Sequence, residues 1–377
     1  MSGEAFAAYG ARLSIDLDAL CDNWRHLRGR LASGDCGAVV KADAYGLGAA
    51  QVAPALYRAG CRQFFVAHLN EGIVLRPLLP ADATLSVLHG AHPGSEAEFV
   101  RHGLQPVLNS LPQVAAWRAL AGRLGRPLPA ILQIDTGMAR LGLDAGEFAQ
   151  LLASADGLAG IELRCLMSHL VSAEDPATPI NRRQLADFRA ALARLPGVKA
   201  SLANSSGIFL GADYHFDLVR PGAALYGVAP VAGQANPLRP VVRLQGKVLQ
   251  IRRIAAGTAV GYSHTWTAGR DSRLATLAVG YADGYLRSLS NRGVARCDGV
   301  ALPLVGNISM DTLIVDITEL PEGRLGEGDY VDLADPVNGV DAIAGRAGTI
   351  GYEILTSLGR RYARSYLGAA EDDALAA

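Results

Sequence analysis

An amine placed directly after two valines, Val39-Val40-Lys41, loses hydration, and a poorly hydrated lysine is drawn toward its neutral, nucleophilic form. Further along, two stretches of small residues follow apolar runs: Asn204-Ser205-Ser206-Gly207 after Leu202-Ala203, and Arg220-Pro221-Gly222-Ala223 after Val219. The hydroxyls of Ser205 and Ser206 with the amides of Gly222 and Ala223 offer a cradle for a phosphate. A nucleophilic amine and a phosphate cradle together suggest a phosphorylated aldehyde held as a Schiff base. Two more polar groups follow apolar runs in the same way: His169 after Met167-Ser168, and the stretch Asp135-Thr136-Gly137-Met138-Ala139-Arg140 after Ile134. Taken singly, Lys41 also reads as a solvated strand end, and His169 as a core histidine with its hydrogen bonds satisfied.

Residues so far apart in sequence need a scaffold that brings strand ends together. Short apolar segments end near Val40, Ala67, Leu88, Leu108, Ile134, Ser168, Ala203 and Val219, and most gaps between them carry Ala/Leu/Arg-rich helical stretches such as 112–124 and 179–195. That alternation predicts an α/β fold, and the number of segments fits an eight-stranded parallel (β/α)8 TIM-like barrel over residues 12–238. Such barrels carry their reacting groups at the C-terminal ends of the strands, which is where the polar residues above fall. Upstream, residues 12–17 alternate like a strand, and Asp18 is placed to cap a helix with Leu20, Trp24, Leu27 and Leu31 on one face. After a loop rich in Pro, Gly and Asn at 228–240 the texture changes. Residues 241–254, 272–279, 300–305, 313–317 and 330–333 read as strands separated by turn clusters, giving a mostly β C-terminal domain over 239–377. Residues 1–11 read as a leader that could pack on this β domain, and EDDALAA as a frayed end.

Composition narrows the class. The 377 residues carry Lys+Arg 35 against Asp+Glu 36, a formal net charge of -1, which gives neither the basic footprint of a nucleic-acid partner nor an acidic tail. Half of the residues are hydrophobic, enough for a sizeable core, yet no apolar run approaches the ~18 residues of a membrane span. The five cysteines, Cys21, Cys36, Cys61, Cys165 and Cys297, are scattered without a C-x-x-C pair. That spacing fits reduced, buried thiols better than a disulfide framework or a zinc site, and no metal is expected. The chain does not open on a basic segment followed by an apolar stretch, so the expected location is the cytoplasm.

Taken in order, VVKADAYGLG, DTGMARLG, MSHL, ANSSG, RPGAALYG, GYSHTW, GYADGY, NISMD and GYEIL resemble the alanine racemase family of pyridoxal-phosphate enzymes, over about residues 12–366. The resemblance implies pyridoxal 5'-phosphate as cofactor, interconversion of L- and D-alanine as the reaction, and a head-to-tail homodimer with shared active sites. The family's barrel followed by a β domain agrees with the organisation read from the strand rhythm.

Carried over position by position, the resemblance implies that Lys41 holds the cofactor and serves as the base on one face of the substrate α-carbon. Tyr262 of the partner subunit is implied as the base on the other face, since a single base would have to cross the cofactor plane to invert the configuration. A tyrosine of pKa ~10 is only ~0.1% ionised at pH 7, so cationic neighbours must lower it. His169 is implied to hydrogen-bond Arg220 and to lie near Tyr262. Arg220 is implied to face the pyridine nitrogen, where a guanidinium disfavours protonation, suits a short-lived carbanion and discourages transamination. Arg140 is implied to contact the cofactor's phenolic oxygen and to help place the substrate carboxylate. Tyr45, Ser205, Gly222, Ala223 and Tyr352 match the phosphate-binding set, with Asn204 and His169 also beside the cofactor. Met310 is implied to meet the substrate carboxylate through its amide, with Asp311 beside it, while Tyr281 and Tyr352 narrow the entrance to suit a methyl side chain.

One position departs from the pattern. Many relatives carry a carbamylated lysine two residues before the DTGM aspartate, where this chain has Gln133, and Gln133 is expected to hydrogen-bond Arg140 directly. Asp135-Thr136-Gly137 also spells an aspartic-protease signature, but that chemistry needs a second such carboxylate and no second motif occurs. A barrel-type decarboxylase of basic amino acids would place a carboxylate toward the pyridine nitrogen and would not need Tyr262. A racemase of broader specificity, acting on serine or other small amino acids, and a cofactor-binding protein without turnover are the remaining alternatives.

Overall fold

The structure, a computed structural model, describes residues 8–368; most of the expected leader and the whole of the expected frayed end lie outside the described residues. The chain divides into two compact units. One comprises residues 21–225 and 229–238. In it, seven parallel strands follow one another in chain order: Ala38–Val39, Gln63–Val66, Thr84–Val87, Gln105–Leu108, Leu128–Gln133, Ile161–Met167 and Ala200–Ser201. An eighth, Leu218–Val219, closes the ring by pairing in parallel with Asp35–Cys36. Arg220 N to Ala203 O at 2.9 Å and Val39 N to Pro221 O at 2.8 Å complete the closure. The result is the eight-stranded α/β barrel expected from the strand rhythm.

These strands are short and buried on both faces, which is why segments such as QFFV and QPVL lack a polar alternation. The helices between them follow ordinary rules. Leu111–Leu124 starts on Ser110, whose side chain accepts from Gln113 N, buries Val114, Trp117, Leu120 and Ala121, and ends on the left-handed Gly125. Pro179–Leu192 opens with proline in its first turn, where no amide donor is needed.

The other unit gathers the described residues up to Leu20, residues 226–228, and those from Arg239 onward. Its main sheet runs Val300–Pro303, Val294–Cys297, Tyr330–Ala334, Val242–Ile254, Ala11–Asp16, Ala363–Leu367. The distal half of the long strand Val242–Ile254 pairs, with a register shift between Val248 and Gln250, with Ser272–Leu277, which in turn pairs with Leu313–Asp316. Two helices, Val340–Ala347 and Gly351–Ser357, follow.

The N-terminal strand differs from the sequence expectation that put residues 12 onward in the barrel. Ala11–Asp16 pairs antiparallel with Val242–Ile254 and in parallel with Ala363–Leu367, so it belongs to the β unit. Its alternation explains why: Leu13 and Ile15 are fully buried while Arg12 and Ser14 are half-buried, the pattern of a strand covered on one face, unlike the barrel strands. The following helix starts at Leu17, so Asp16, not Asp18, supplies the cap, accepting Ala19 N at 2.7 Å. Asp18 lies in the first turn, where a negative charge suits the helix dipole. Among the described residues no helix is long and apolar enough to cross a membrane.

Candidate active site

Lys41 follows the first barrel strand and is half-buried. Burial lowers the pKa of its amine and the Arg140 guanidinium lowers it further, while the Glu71 carboxylate works in the opposite direction. The backbone beyond it is unusual. Ala42, Asp43, Ala44 and Tyr45 have φ of 53°, 54°, 54° and 56°, a single left-handed turn built without glycine. Each such residue costs about 1–2 kcal/mol, so the turn persists only because other contacts determine it. Ala44 N bonds Val40 O at 3.0 Å, Gly46 N bonds Ala42 O at 2.7 Å, and Gly48 N bonds Asp43 O at 2.8 Å. Side chains close it: Ala49 N donates to Asp43 Oδ1 at 2.7 Å and Ala42 N to Glu71 Oε1 at 2.6 Å.

The turn buries Tyr45 with its hydroxyl against Gly222. A Cβ on Gly222 would lie 2.2 Å from Tyr45 Oη, so only glycine admits the phenol there. Ser205, also buried, accepts Gly222 N at 2.9 Å and Ala224 N at 3.2 Å on its Oγ. Ala223 opens the short helical turn Ala223–Tyr226 beside them. Two hydroxyls and a cluster of main-chain amides are the donor set that a phosphate dianion requires, so these residues fit the phosphate of pyridoxal phosphate. Gly222→Ala is expected to displace Tyr45 and raise the Kd for pyridoxal phosphate roughly 10-fold, by loss of about one charged hydrogen bond, as read by equilibrium dialysis.

Arg220 is buried, donating from Nη1 to Ser201 Oγ and from Nη2 to Ser168 O, the latter at 2.7 Å. Burial lowers its pKa to about 10, which leaves it a cation at neutral pH. His169 does not form the expected hydrogen bond to Arg220, whose terminal nitrogens donate to Ser201 and Ser168. Burial first, then the nearby cations Arg220, Arg140 and Lys41, disfavour protonation of the imidazole and push its pKa down to about 3. His169 is therefore neutral at working pH. Gln184, fully buried, donates to His169 O at 2.9 Å and to Thr136 Oγ1 at 3.1 Å, tying together the loops after the fifth and sixth strands.

Asn204 braces its own loop, accepting Gly207 N at 2.9 Å and donating to Leu170 O at 3.4 Å. Arg140 is exposed and follows Ala139, another left-handed residue. Gln133 does not reach it as expected. Its Nε2 donates to Leu141 O at 3.0 Å, so the glutamine holds the backbone of the arginine's loop rather than the guanidinium.

In the β unit, Tyr262 is 71% exposed. It sits between Gly261 (φ 72°) and the left-handed pair Ser263 and His264, and its carbonyl accepts from Asn307 Nδ2 at 2.9 Å. Tyr281 and Met310 are brought together by Gly280, whose Cβ would lie 2.3 Å from Met310 O. Tyr281 N donates to Ser309 O and Ala282 N to Met310 O, both at 3.0 Å, while no described residue accepts from the Met310 amide. Asp311 is held by Arg361, which bonds it at 2.8 Å and grips buried Asp283 at 2.6 and 2.9 Å. Tyr352, half exposed, is the second residue of Gly351–Ser357.

The barrel unit thus gathers Lys41, Tyr45, Arg140, His169, Ser205, Arg220 and Gly222 at its strand ends, and the β unit gathers Tyr281, Met310 and Asp311. Glu71, Gln184 and Arg361 escaped the sequence reading. Glu71 had a local signal, its place three residues after His68 at a helix start. Arg361 had none, with partners 50 and 78 residues away. Among the described residues no group of three His, Cys, Asp or Glu side chains could hold a metal ion.

Comparison with known proteins gives one answer. Residues 15–230 match the family model of the alanine racemase N-terminal domain, and residues 241–366 that of the C-terminal domain. The chain is 51% identical over 373 residues to an alanine racemase of Brucella abortus, covering 96% of this chain and 94% of that protein. It is 52% identical over 362 residues to one of Rhodospirillum rubrum, covering 96% and 97%. A crystal structure of alanine racemase from Bartonella henselae with covalently bound pyridoxal phosphate superposes with a TM-score of 0.91 at 45% identity, covering 95% of this chain and 99% of that one.

Proposed function

The chain belongs to the alanine racemase family, and on that premise we propose that it interconverts L- and D-alanine with Lys41 and Tyr262 of the partner subunit as opposed bases. The observation that carries this reading is the convergence at one end of the barrel of a half-buried amine, a hydroxyl-and-amide cradle and a buried cation. Pyridoxal phosphate, when bound, supplies the electron sink that acidifies the substrate α-hydrogen.

The chain's own groups do the rest. Lys41, with its amine pKa lowered by burial and by the Arg140 guanidinium, gives up a proton more readily than a solvated lysine. Tyr45, Ser205, Gly222, Ala223 and Tyr352 bind the phosphate. Arg140 offers a guanidinium to the substrate carboxylate, which the unclaimed Met310 amide also suits. Asp311 would repel that carboxylate if left alone, and its ion pair with Arg361 offsets this. His169 is neutral, so its part toward Tyr262 is to share a hydrogen bond, not to supply a positive charge. Tyr281 limits the room for a side chain.

A tyrosine base must be shielded from water, yet Tyr262 is 71% exposed, and Met310 and Ile350 are 54% and 61% exposed. Large side chains open to solvent on the β unit support a homodimer in which a second copy covers them. Five buried, free cysteines suit a reducing compartment, in keeping with the cytoplasm.

The test uses purified holoprotein with alanine, serine, lysine and arginine. Conversion between enantiomers is expected for alanine, and borohydride reduction should leave the cofactor on a peptide containing Lys41. Carbon dioxide release without D-alanine would make it a decarboxylase, and a silent yellow protein would make it a binder only.

A further inference from the structure

The left-handed turn after Lys41 raises a question that the bases and the cradle do not answer: what keeps four strained residues in place beside the reacting amine. At about 1–2 kcal/mol for each residue, relaxation of this turn is favourable unless something outside it holds on. The bonds of Ala44 N to Val40 O, Gly46 N to Ala42 O, Leu47 N to Ala44 O, Gly48 N to Asp43 O and Ala49 N to Asp43 Oδ1 lie within residues 40–49 and would move with the segment. One does not. Ala42 N donates at 2.6 Å to Glu71 Oε1, and the other oxygen of that carboxylate accepts Ala67 N at 2.8 Å and His68 N at 2.9 Å. Ala67 and His68 directly follow the second barrel strand, Gln63–Val66. Glu71 therefore anchors the turn to the end of the neighbouring strand, using an ionised acceptor for three main-chain donors.

We propose that Glu71 is a positioning residue for Lys41: by holding the Ala42 amide against the second strand, it fixes the turn that aims the Lys41 amine and the Tyr45 hydroxyl. The inference rests on the reading that Lys41 carries the cofactor. Two consequences separate it from a plain helix cap. An aspartate at position 71 still caps the helix Leu69–Leu75 with a negative charge, but its side chain is one methylene shorter and cannot also span to Ala42. A glutamine has the length but turns an NH2 group toward N–H donors on one side or the other. It also removes the negative charge that opposes Arg140 at the Lys41 amine.

The experiment compares holoenzyme of the wild type, Glu71→Asp and Glu71→Gln. Both variants should lose roughly 10-fold or more in kcat with little change in the KM for alanine, because the carboxylate-binding groups are untouched. The pH midpoint of the cofactor's yellow absorbance should fall in Glu71→Gln, where a cation on the Lys41 nitrogen has lost its counter-charge, and hold in Glu71→Asp. Thermal midpoints are measured alongside. Wild-type kcat in Glu71→Asp overturns the proposal, and so does a loss of kcat that only tracks a fall in thermal midpoint with the absorbance unmoved in Glu71→Gln. If Glu71→Gln does not fold, the kcat and KM of Glu71→Asp decide. Borohydride labelling of the wild type keeps the two ideas apart: a label away from Lys41 overturns the underlying reading, whereas a label on Lys41 with unimpaired variants overturns the role of Glu71 alone.

Discussion

Tyr262→Phe should leave a folded, yellow protein that exchanges the α-hydrogen of one alanine enantiomer with solvent and produces almost no inversion. On the proposed two-base reading, removing the phenolic oxygen takes away the proton acceptor on one face, while Lys41 still serves the other. General acid–base groups contribute about 10²–10⁴-fold, so L-to-D and D-to-L rates should both fall by roughly 10³, about 4 kcal/mol of barrier. Stability should hardly change. Tyr262 is largely exposed, and its one hydrogen bond, from Asn307, goes to the main chain, which phenylalanine keeps. The measurement is incubation of each enantiomer in D2O, followed by chiral separation and mass spectrometry. Deuterium in both enantiomers at the wild-type rate would show that the second base lies elsewhere. If the base on this face is borrowed from a second copy, as proposed, the same loss should appear on dilution below the dissociation constant of the proposed dimer.

The barrel was legible because buried parallel strands and amphipathic helices leave different textures, and its strand ends could be counted along the chain. The candidate site was legible where the proposed chemistry needs a residue type: an amine after two valines, hydroxyls and glycines after the last strands. The strained turn was not. Ala42, Ala44 and Tyr45 carry nothing that marks positive φ and Asp43 only a tolerance of it; contacts such as Ala42 N to Glu71 Oε1, with a partner 29 residues away, have no local signature. The N-terminal strand was recognised as a strand but assigned to the wrong unit, because pairing with residues 242–246 and 363–367 has no local signature. The same holds for Gln133: its type allowed a bond to Arg140, and only the backbone geometry decides that Leu141 O accepts it. Long-range choices of partner are what a sequence read in short windows leaves open.

Arg220→Glu is expected to change which reaction the protein carries out as well as its rate. The native guanidinium is buried, held by Ser201 and Ser168, and remains a cation with a pKa of about 10. Facing the cofactor's ring nitrogen, as the family resemblance implies, such a cation opposes protonation there. A carboxylate in its place favours protonation, and in a poorly hydrated site reversing a charge is enough to shift a neighbouring titration by several pH units. The ring would then withdraw electrons more strongly, and protons would have longer to return to the wrong atom. Racemisation should slow by roughly 100-fold or more, about 3 kcal/mol of barrier, and pyruvate from transamination should become measurable with lactate dehydrogenase. Arg220→Lys separates charge from shape: it keeps the cation but loses one of the two directed donors. It should racemise more slowly than wild type without forming pyruvate. If Arg220→Glu racemises as wild type with no side product, the buried cation does not face the reacting ring, and reaction choice must be set by other groups.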